Sequence, residues 1–456
     1  MHANIIGFNP MLAELPALHG RSFRKELEQY LQRHPDTEQL DIYLNDLNGQ
    51  LRGKRLPIAE AFSLEKGCYF PLSIYAMDLH GRVIEESGLG QLAGEPDRLC
   101  LPVPGTLRSC ARDPQRHAQL LLTMQNADGG ACELEPRVVL QQVLKRLHAR
   151  NCFPVVAAEL EFYLQDPQQP ADAAPCPTQS FAVDAPERHH ALLHDIEQHA
   201  RLQGLPLSGV VAEAASGQYE LNLHHSPRVL EACDQILALK RLTRQMAERH
   251  RQHACFMAKP CAHAAGSGLH FHISLQGEHG ENLLTGAPGE LSDNMQQAMA
   301  GMLALMPASM AILAPNINAF RRFRPGMHVP LRASWGHNNR TVALRLPCAD
   351  GANQRIEYRL AGADANPYLA LAAILGGLLH GLEQPLPLPP ATNGYENDGA
   401  APLPLSQQEA LALFRHSQPL RELLGPAFCS LWHTCKSAEL HRFEEQVTAA
   451  ELGWML

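Results

Sequence analysis

Phe23, Leu27, Tyr30 and Leu31 recur at helical spacing, with Ser22 ahead of them and Pro35 behind, so a helix is predicted there. Leu40, Ile42 and Leu44 then alternate with more polar neighbours, the mark of a half-buried strand, and Asp46-Leu47-Asn48-Gly49 reads as a turn. Residues 70–125 carry short apolar runs among many Gly and Pro, which predicts small antiparallel strands. Residues 138–147 read as a helix with Pro136 at its boundary. The chain is expected to form a small α+β domain over 1–135 and a larger domain over 136–456.

Two apolar stretches raise the question of a membrane span. Residues 294–320 contain no charge, but Pro307 and Ser309 interrupt the apolar run and Gln296, Gln297, Asn316 and Asn318 flank it. A spanning helix needs about 20 predominantly apolar residues, so this stretch and 368–382 are read as buried helices. Residues 166–179 and 384–405 are dense in turn formers and read as surface loops.

Five segments in the larger domain share one pattern. Val156, Ala158, Leu160, Phe162 and Leu164 form an apolar face opposite Glu159 and Glu161, since residues two apart on a strand point the same way. Tyr219, Leu221 and Leu223 oppose Glu220 and Asn222. Leu269, Phe271, Ile273 and Leu275 alternate with His270, His272 and Ser274. Val342, Leu344 and Leu346 alternate with Ala343 and Arg345, and Ile356, Tyr358 and Leu360 with Arg355, Glu357 and Arg359. One such strand means only a core side and a water side. Five whose polar faces hold Glu, His and Arg, and no Lys, mean a lined cleft.

Glu159, Glu161, Glu220 and Glu357, with Glu213 just upstream of the second strand, would repel one another unless cations neutralise them. Oxygen-rich donor sets suit hard divalent ions, so Mg²⁺ or Mn²⁺ is expected. The arginines need anionic clients such as phosphate and carboxylate. Together these parts describe metal-assisted phosphoryl transfer. A formal charge of −9 argues against nucleic acid as a partner. The 12 cysteines include no C-x-x-C pair, and no signal peptide is visible, so reduced thiols in the cytoplasm are the expectation.

The chain resembles the glutamine synthetase superfamily along most of its length. The motifs, in order, are Glu159-Leu-Glu161, Glu213-Ala-Ala-Ser-Gly-Gln-Tyr-Glu220, Gly266-Ser-Gly-Leu-His270-Phe-His272, Asn318-Ala-Phe-Arg-Arg322, Asn339-Arg340 with Arg345, Arg355-Ile-Glu357-Tyr-Arg359, and Asn366-Pro367-Tyr368. The resemblance implies an α+β fold. A small β-grasp-like N-terminal domain would precede a catalytic domain whose curved antiparallel sheet lines the active site, with helices outside. It implies ATP as a substrate and two or more ions of Mg²⁺ or Mn²⁺, with Glu161, Glu213 and Glu220 holding one ion and Glu159, His270 and Glu357 another. It also implies that His272, Ser274 and Arg355 contact the nucleotide. Gly266, Arg322 and Arg359 would bind glutamate, and Arg340 and Arg345 would stabilise the transferring phosphoryl group. Asp46 would sit in a neighbouring subunit's site within an assembly of stacked rings such as a dodecamer.

The reaction implied is ligation of the glutamate γ-carboxyl group to an amine through an acyl phosphate, since a free carboxylate has only oxide to expel. Three departures bear on the amine. Arg324-Pro325-Gly326-Met327-His328 places His328 where ammonia-using members carry a flap glutamate, and a histidine supplies no fixed negative charge for ammonium, though it can act as a base. Ala265 stands where many glutamine-forming members have asparagine, and Tyr395 lacks the context of regulatory adenylylation. The nearest subgroup by resemblance is the γ-glutamylpolyamine synthetases, which act on putrescine or longer polyamines at the start of their breakdown. Ammonia, ethanolamine or a monoamine as acceptor stays open at this point, as does a catalytically silent relative.

Overall fold

A computed structural model describes residues 16–168, 178–184, 187–287, 289–327, 329–349, 351–394 and 399–454. Two compact units divide the chain. One takes the chain up to Leu44, then Leu51–Pro71 and Asp97–Ala131; the other takes Asn45–Gln50, Leu72–Pro96 and Cys132–Leu456.

The first unit holds helix α1 (Pro16–Arg33) and strands β1 (Gln39–Asn45), β2 (Leu51–Pro57), β3 (Cys68–Pro71), β4 (Asp97–Pro102), β5 (Arg108–Ser109) and β6 (His117–Met124). The helix starts six residues before the expected Ser22. Phe23, Leu27 and Tyr30 are buried as the spacing requires. The sheet order is β2-β1-β6-β4-β3, with β5 on β6. β3, β4, β5 and β6 pair antiparallel, whereas β1 and β6 run parallel, which local patterning could not reveal. β2 has no apolar alternation to announce it. It lies along β1 so closely that a β-carbon at Gly53 would fall 1.9 Å from the Ile42 carbonyl oxygen.

The second unit opens with α2 (Pro136–His148), the helix expected behind Pro136. It continues through β7 (Phe153–Gln165), α3 (Glu187–Leu202), β8 (Leu207–Ala212), β9 (Gln218–Leu223), α4 (Val229–Arg249), β10 (His253–Cys255), β11 (Leu269–Gln276), α5 (Asp293–Leu313) and α6 (Ile317–Phe320). β12 (Trp335–His337), β13 (Leu344–Leu346), β14 (Ile356–Tyr358), α7 (Pro367–Glu383), α8 (Gln407–His416), α9 (Gln418–Leu424), α10 (Pro426–Glu444) and α11 (Ala449–Leu452) complete it. All five patterned segments become strands of one sheet ordered β12-β13-β14-β11-β7-β9-β8, with β10 on β7. The fourth is shorter than its alternation suggested, because Val342 and Ala343 lie outside β13.

The curled sheet is antiparallel apart from the β12–β13 pair. Its apolar face, including Leu160, Phe162, Tyr219, Leu221, Phe271, Ile273, Leu344 and Tyr358, is buried, and α2 and α4 pack against β7.

Both apolar stretches are core helices. α5 is long and apolar enough to cross a membrane, but most of it is buried in this unit. Pro307 does not break it: the helix runs through that residue. α5 packs on α7 through glycines. A β-carbon at Gly301 would sit 2.3 Å from Gly377 O and Gly381 N, and one at Gly381 would sit 1.9 Å from Gln297 O. Backbones in contact at these points leave no room for any side chain, which is why two nearly all-apolar helices can pack this closely.

Candidate active site

Strand register gathers the charged side chains. His270 pairs with Glu159, Glu161 with Glu220, Glu159 with Asn222, His272 with Glu357, and Arg345 with Glu357. Residues opposite one another project to the same face, so every one of these side chains lies on the face away from the apolar core. His272 Nε2 is 2.7 Å from Glu159 Oε1 and His270 Nδ1 is 3.2 Å from Glu159 Oε2. Arg355 Nε donates to His272 Nδ1 at 3.3 Å, which leaves the hydrogen on Nε2 facing Glu159. Arg345 reaches Glu357 at 2.6 Å and Arg359 pairs with its other oxygen.

These partners divide the carboxylates into two kinds. Burial opposes the charge on Glu159, yet the bonds from His270 and His272 hold its carboxyl well below the usual range. Glu357 is likewise buried and held below its ordinary value by Arg359 and the two histidines. Glu220 accepts only from the neutral Asn222 amide, at 3.1 Å, among the described side chains. Burial, and then repulsion from Glu159, Glu161 and Glu213, push it up to about 9. Glu213, at the end of β8, is pushed up to about 7 by burial and by Glu161, with Arg340 opposing. Burial plus repulsion is the signature of a carboxylate set awaiting a cation.

The donors fit a hard divalent ion. Glu159, Glu220 and His270 can each bring a ligand atom to within 4.8 Å of the others, and so can Glu159, His272 and Glu357. The second group contains His272, for which the resemblance implied nucleotide contact. The two ring nitrogens of His272 face Arg355 and Glu159, so the ring bridges those two side chains. Ser274 shares the face of His270 and His272 two residues further along β11.

At Gly266 a β-carbon would meet the Ala258 carbonyl oxygen at 2.8 Å, and a side chain at Gly268 would displace the site's own His270 and Arg322. A β-carbon would fall 2.7 Å from Arg322 Cγ at the first and 2.6 Å from His270 Nε2 at the second. Arg322 is buried and donates to the carbonyls of Leu360 (2.9 Å), Ala361 (3.1 Å) and Arg359 (3.3 Å). The Nε atoms of Arg322, Arg345 and Arg359 are buried without a hydrogen-bond partner, which suits side chains poised for an anion.

Asp46 has different surroundings. It is wholly buried, and one oxygen accepts the amides of Asn48 and Gln50, both at 2.9 Å, within its own turn. His328 and Tyr395 lie outside the described residues.

Two residues of the polar face escaped the sequence reading. Gln218 lies two before Glu220 and Tyr163 two after Glu161, and the two are register partners. Extending the period-two pattern one step in each strand would have found both. Lys259 is a third omission. This buried lysine bonds the carbonyl of Ala264 and lies 3.2 Å from Met327 Sδ, and no local periodicity announces it.

A carboxylate-lined antiparallel sheet with arginines facing it suits an enzyme that handles anions with divalent ions, and comparison with known proteins names the family. Residues 133–455 match the family "glutamine synthetase, catalytic domain". The chain belongs to the glutamine synthetase family of ATP-dependent carbon–nitrogen ligases. Gamma-glutamylputrescine synthetase of Escherichia coli is 51% identical over 100% of this chain and 99% of its own length. Gamma-glutamylethanolamide synthetase of Streptomyces coelicolor is 30% identical, over 91% of this chain and 92% of its own. The solved GmaS/ADP complex (conformation 1) superposes with a TM-score of 0.81 at 27% identity, covering 93% of this chain and 98% of that one.

Proposed function

We propose that this protein joins the γ-carboxyl group of glutamate to putrescine, with ATP cleavage, as a step of polyamine catabolism. The carboxylate-lined face carries the ligase half of the reading, because burial, and then like charges that a bound cation would relieve, drive Glu220 and Glu213 up. The acceptor half rests on the end-to-end 51% identity to gamma-glutamylputrescine synthetase.

In this reading Glu161, Glu213 and Glu220 hold one divalent ion, and Glu159, His270 and Glu357 a second, either Mg²⁺ or Mn²⁺. The ions would screen phosphate charge and draw electron density from the phosphoryl group. His272, Ser274 and Arg355 contact the nucleotide. Gly266 offers backbone to glutamate, while Arg322 and Arg359 take its carboxylates. Arg340 and Arg345 neutralise charge as the γ-carboxylate oxygen attacks ATP and ADP departs. The resulting γ-glutamyl phosphate is attacked by the neutral amine, which loses a proton to a base; His328 is our candidate. The amide nitrogen stays on the substrate and phosphate leaves.

The same reading makes residues 1–135 the β-grasp-like domain and 136–456 the catalytic one, in a cytoplasmic homo-oligomer of stacked rings. Asp46 would then serve a second copy's site, for which its carboxylate must turn from the amides it now accepts. A second acceptor, ethanolamine, draws support from the 30% identical ethanolamide synthetase.

The test is phosphate release by purified protein with ATP, Mg²⁺ and glutamate. Putrescine should raise the rate at least about tenfold over ammonium or ethanolamine at equal concentration, a preference of about 1.4 kcal/mol or more. Equal or faster turnover with ammonium would sink the polyamine reading.

A further inference from the structure

Gln218 stands at a junction that none of the roles above uses. The residue is buried at the start of β9, on the polar face. Nε2 donates to Glu161 Oε2 at 3.2 Å and to the Gly266 carbonyl at 3.0 Å, so the two amide hydrogens go to two different parts of the site. The Ala215 N–H donates to Oε1 at 3.3 Å, which fixes which end of the amide is oxygen. Tyr163 closes the other side. Its hydroxyl donates to the Ala265 carbonyl at 2.6 Å and lies 3.3 Å from Gln218 Oε1. The Gly268 N–H donates to the same Glu161 oxygen at 2.9 Å. The 265–268 loop is therefore tied to Glu161 directly and through one amide.

From this geometry we infer that Gln218, with Tyr163, is a positioning residue that couples divalent-cation binding at Glu161 to glutamate binding at the Gly266 loop. The inference rests on the proposed roles of Glu161 and Gly266. A cation draws the Glu161 carboxylate into one position. The rigid amide transmits that position to the Gly266 carbonyl, and ordering of the loop by glutamate holds Glu161 in return. Coupling of this kind is reciprocal, so each ligand must tighten the other by the same factor. Buried polar networks in which every member is satisfied transmit such constraints well, because no donor can move without leaving another unpaired.

The experiment is calorimetric titration of Mn²⁺ into the full-length protein, with and without saturating glutamate and without nucleotide, so that no turnover enters the readout. Wild type is expected to bind Mn²⁺ about tenfold tighter with glutamate present, within the usual range of coupling factors. Gln218→Met keeps the volume but removes both donors. It should reduce that factor to about two or less, while Mn²⁺ affinity without glutamate changes by less than about threefold. Tyr163→Phe, the milder variant, should reduce it part-way and melt close to wild type. A wild-type factor of one, or a full factor retained in both variants, overturns the inference. Glu161→Gln separates the two layers. If it leaves Mn²⁺ affinity unchanged, the metal assignment itself is at fault rather than the coupling.

Discussion

Two buried polar regions of the larger unit carry similar side chains in opposite electrostatic states. At the sheet, histidines and arginines hold the Glu159 and Glu357 carboxyls down, whereas burial and like charges push Glu213 and Glu220 up. Where the 45–50 turn meets α7 and α10, by contrast, the buried charges are paired. Lys436, completely buried, donates to Asn48 Oδ1 and, at 2.8 Å, to Glu439, with its ammonium 4.9 Å from the Trp432 ring. Asn48 Nδ2 donates to the Met77 carbonyl at 3.1 Å. Asn366 caps α7 through its oxygen and donates through Nδ2 to Asn45 Oδ1 (2.9 Å) and the Asp46 carbonyl (3.0 Å). In the second region the buried ammonium has its counter-charge, only Asn45 Nδ2 among these side chains is left without a bond, and the network fixes a turn against two helices. The first is strained by its own charge until a ligand arrives. Burial of polar groups therefore distinguishes structure from function only when the charge balance is examined.

The comparison can be broken from the satisfied side. Lys436→Met keeps the aliphatic stem but leaves Glu439 buried without its cation, with only the Asn48 amide at 3.3 Å, and should lower the free energy of unfolding by about 3–5 kcal/mol, read from urea denaturation. A loss below about 1 kcal/mol would mean that this network specifies nothing. From the strained side the sign reverses. Glu220 enters the metal-free fold below about pH 9 only by taking up a proton, and Glu220→Gln removes that cost, so at pH 7 in chelator the melting temperature should rise by about 1–3 °C, and Mg²⁺ should stabilise the variant less than wild type. A fall in chelator would contradict that cost.

The smallest effect concerns Lys240 on α4, a buried cation between the two extremes. It donates to the Ala363 carbonyl at 2.6 Å, but burial, and then Arg244, push its pKa down to about 7. Its ordinary value is 10.5, so between about 7 and 10.5 the unfolded chain binds more protons than the folded one. Stability from this group rises with pH across that window and is lost as pH falls through it. Lys240→Met should flatten the rise in melting temperature between pH 7 and pH 9.5 relative to wild type. Identical slopes would show that the ammonium is accommodated without penalty.

Much of the site was legible because strands write their faces into the sequence at period two. Glu159 with Glu161, and His270 with His272, needed no tertiary knowledge to be placed side by side. The same rule would have caught Gln218 and Tyr163 had it been carried one residue further along each strand. Lys259 was not legible, since it lies in irregular chain and its partners, Ala264 and Met327, are set by the path of two loops. β2 and the parallel β1–β6 pairing were hidden for a related reason: backbone hydrogen bonds to a neighbouring strand leave no mark on side-chain pattern.

By itself the sequence determined the α+β class, the five-strand acid and arginine face, both core helices and the family. Local alternation and long ordered motifs carry that information within a few residues. Tertiary structure alone decided which carboxylates find counter-charges and which do not. Glu159 and Glu220 look alike along the chain, yet register gives the first two imidazoles and leaves the second among like charges. Charge compensation depends on distances across strands, and those exist only once the sheet has formed.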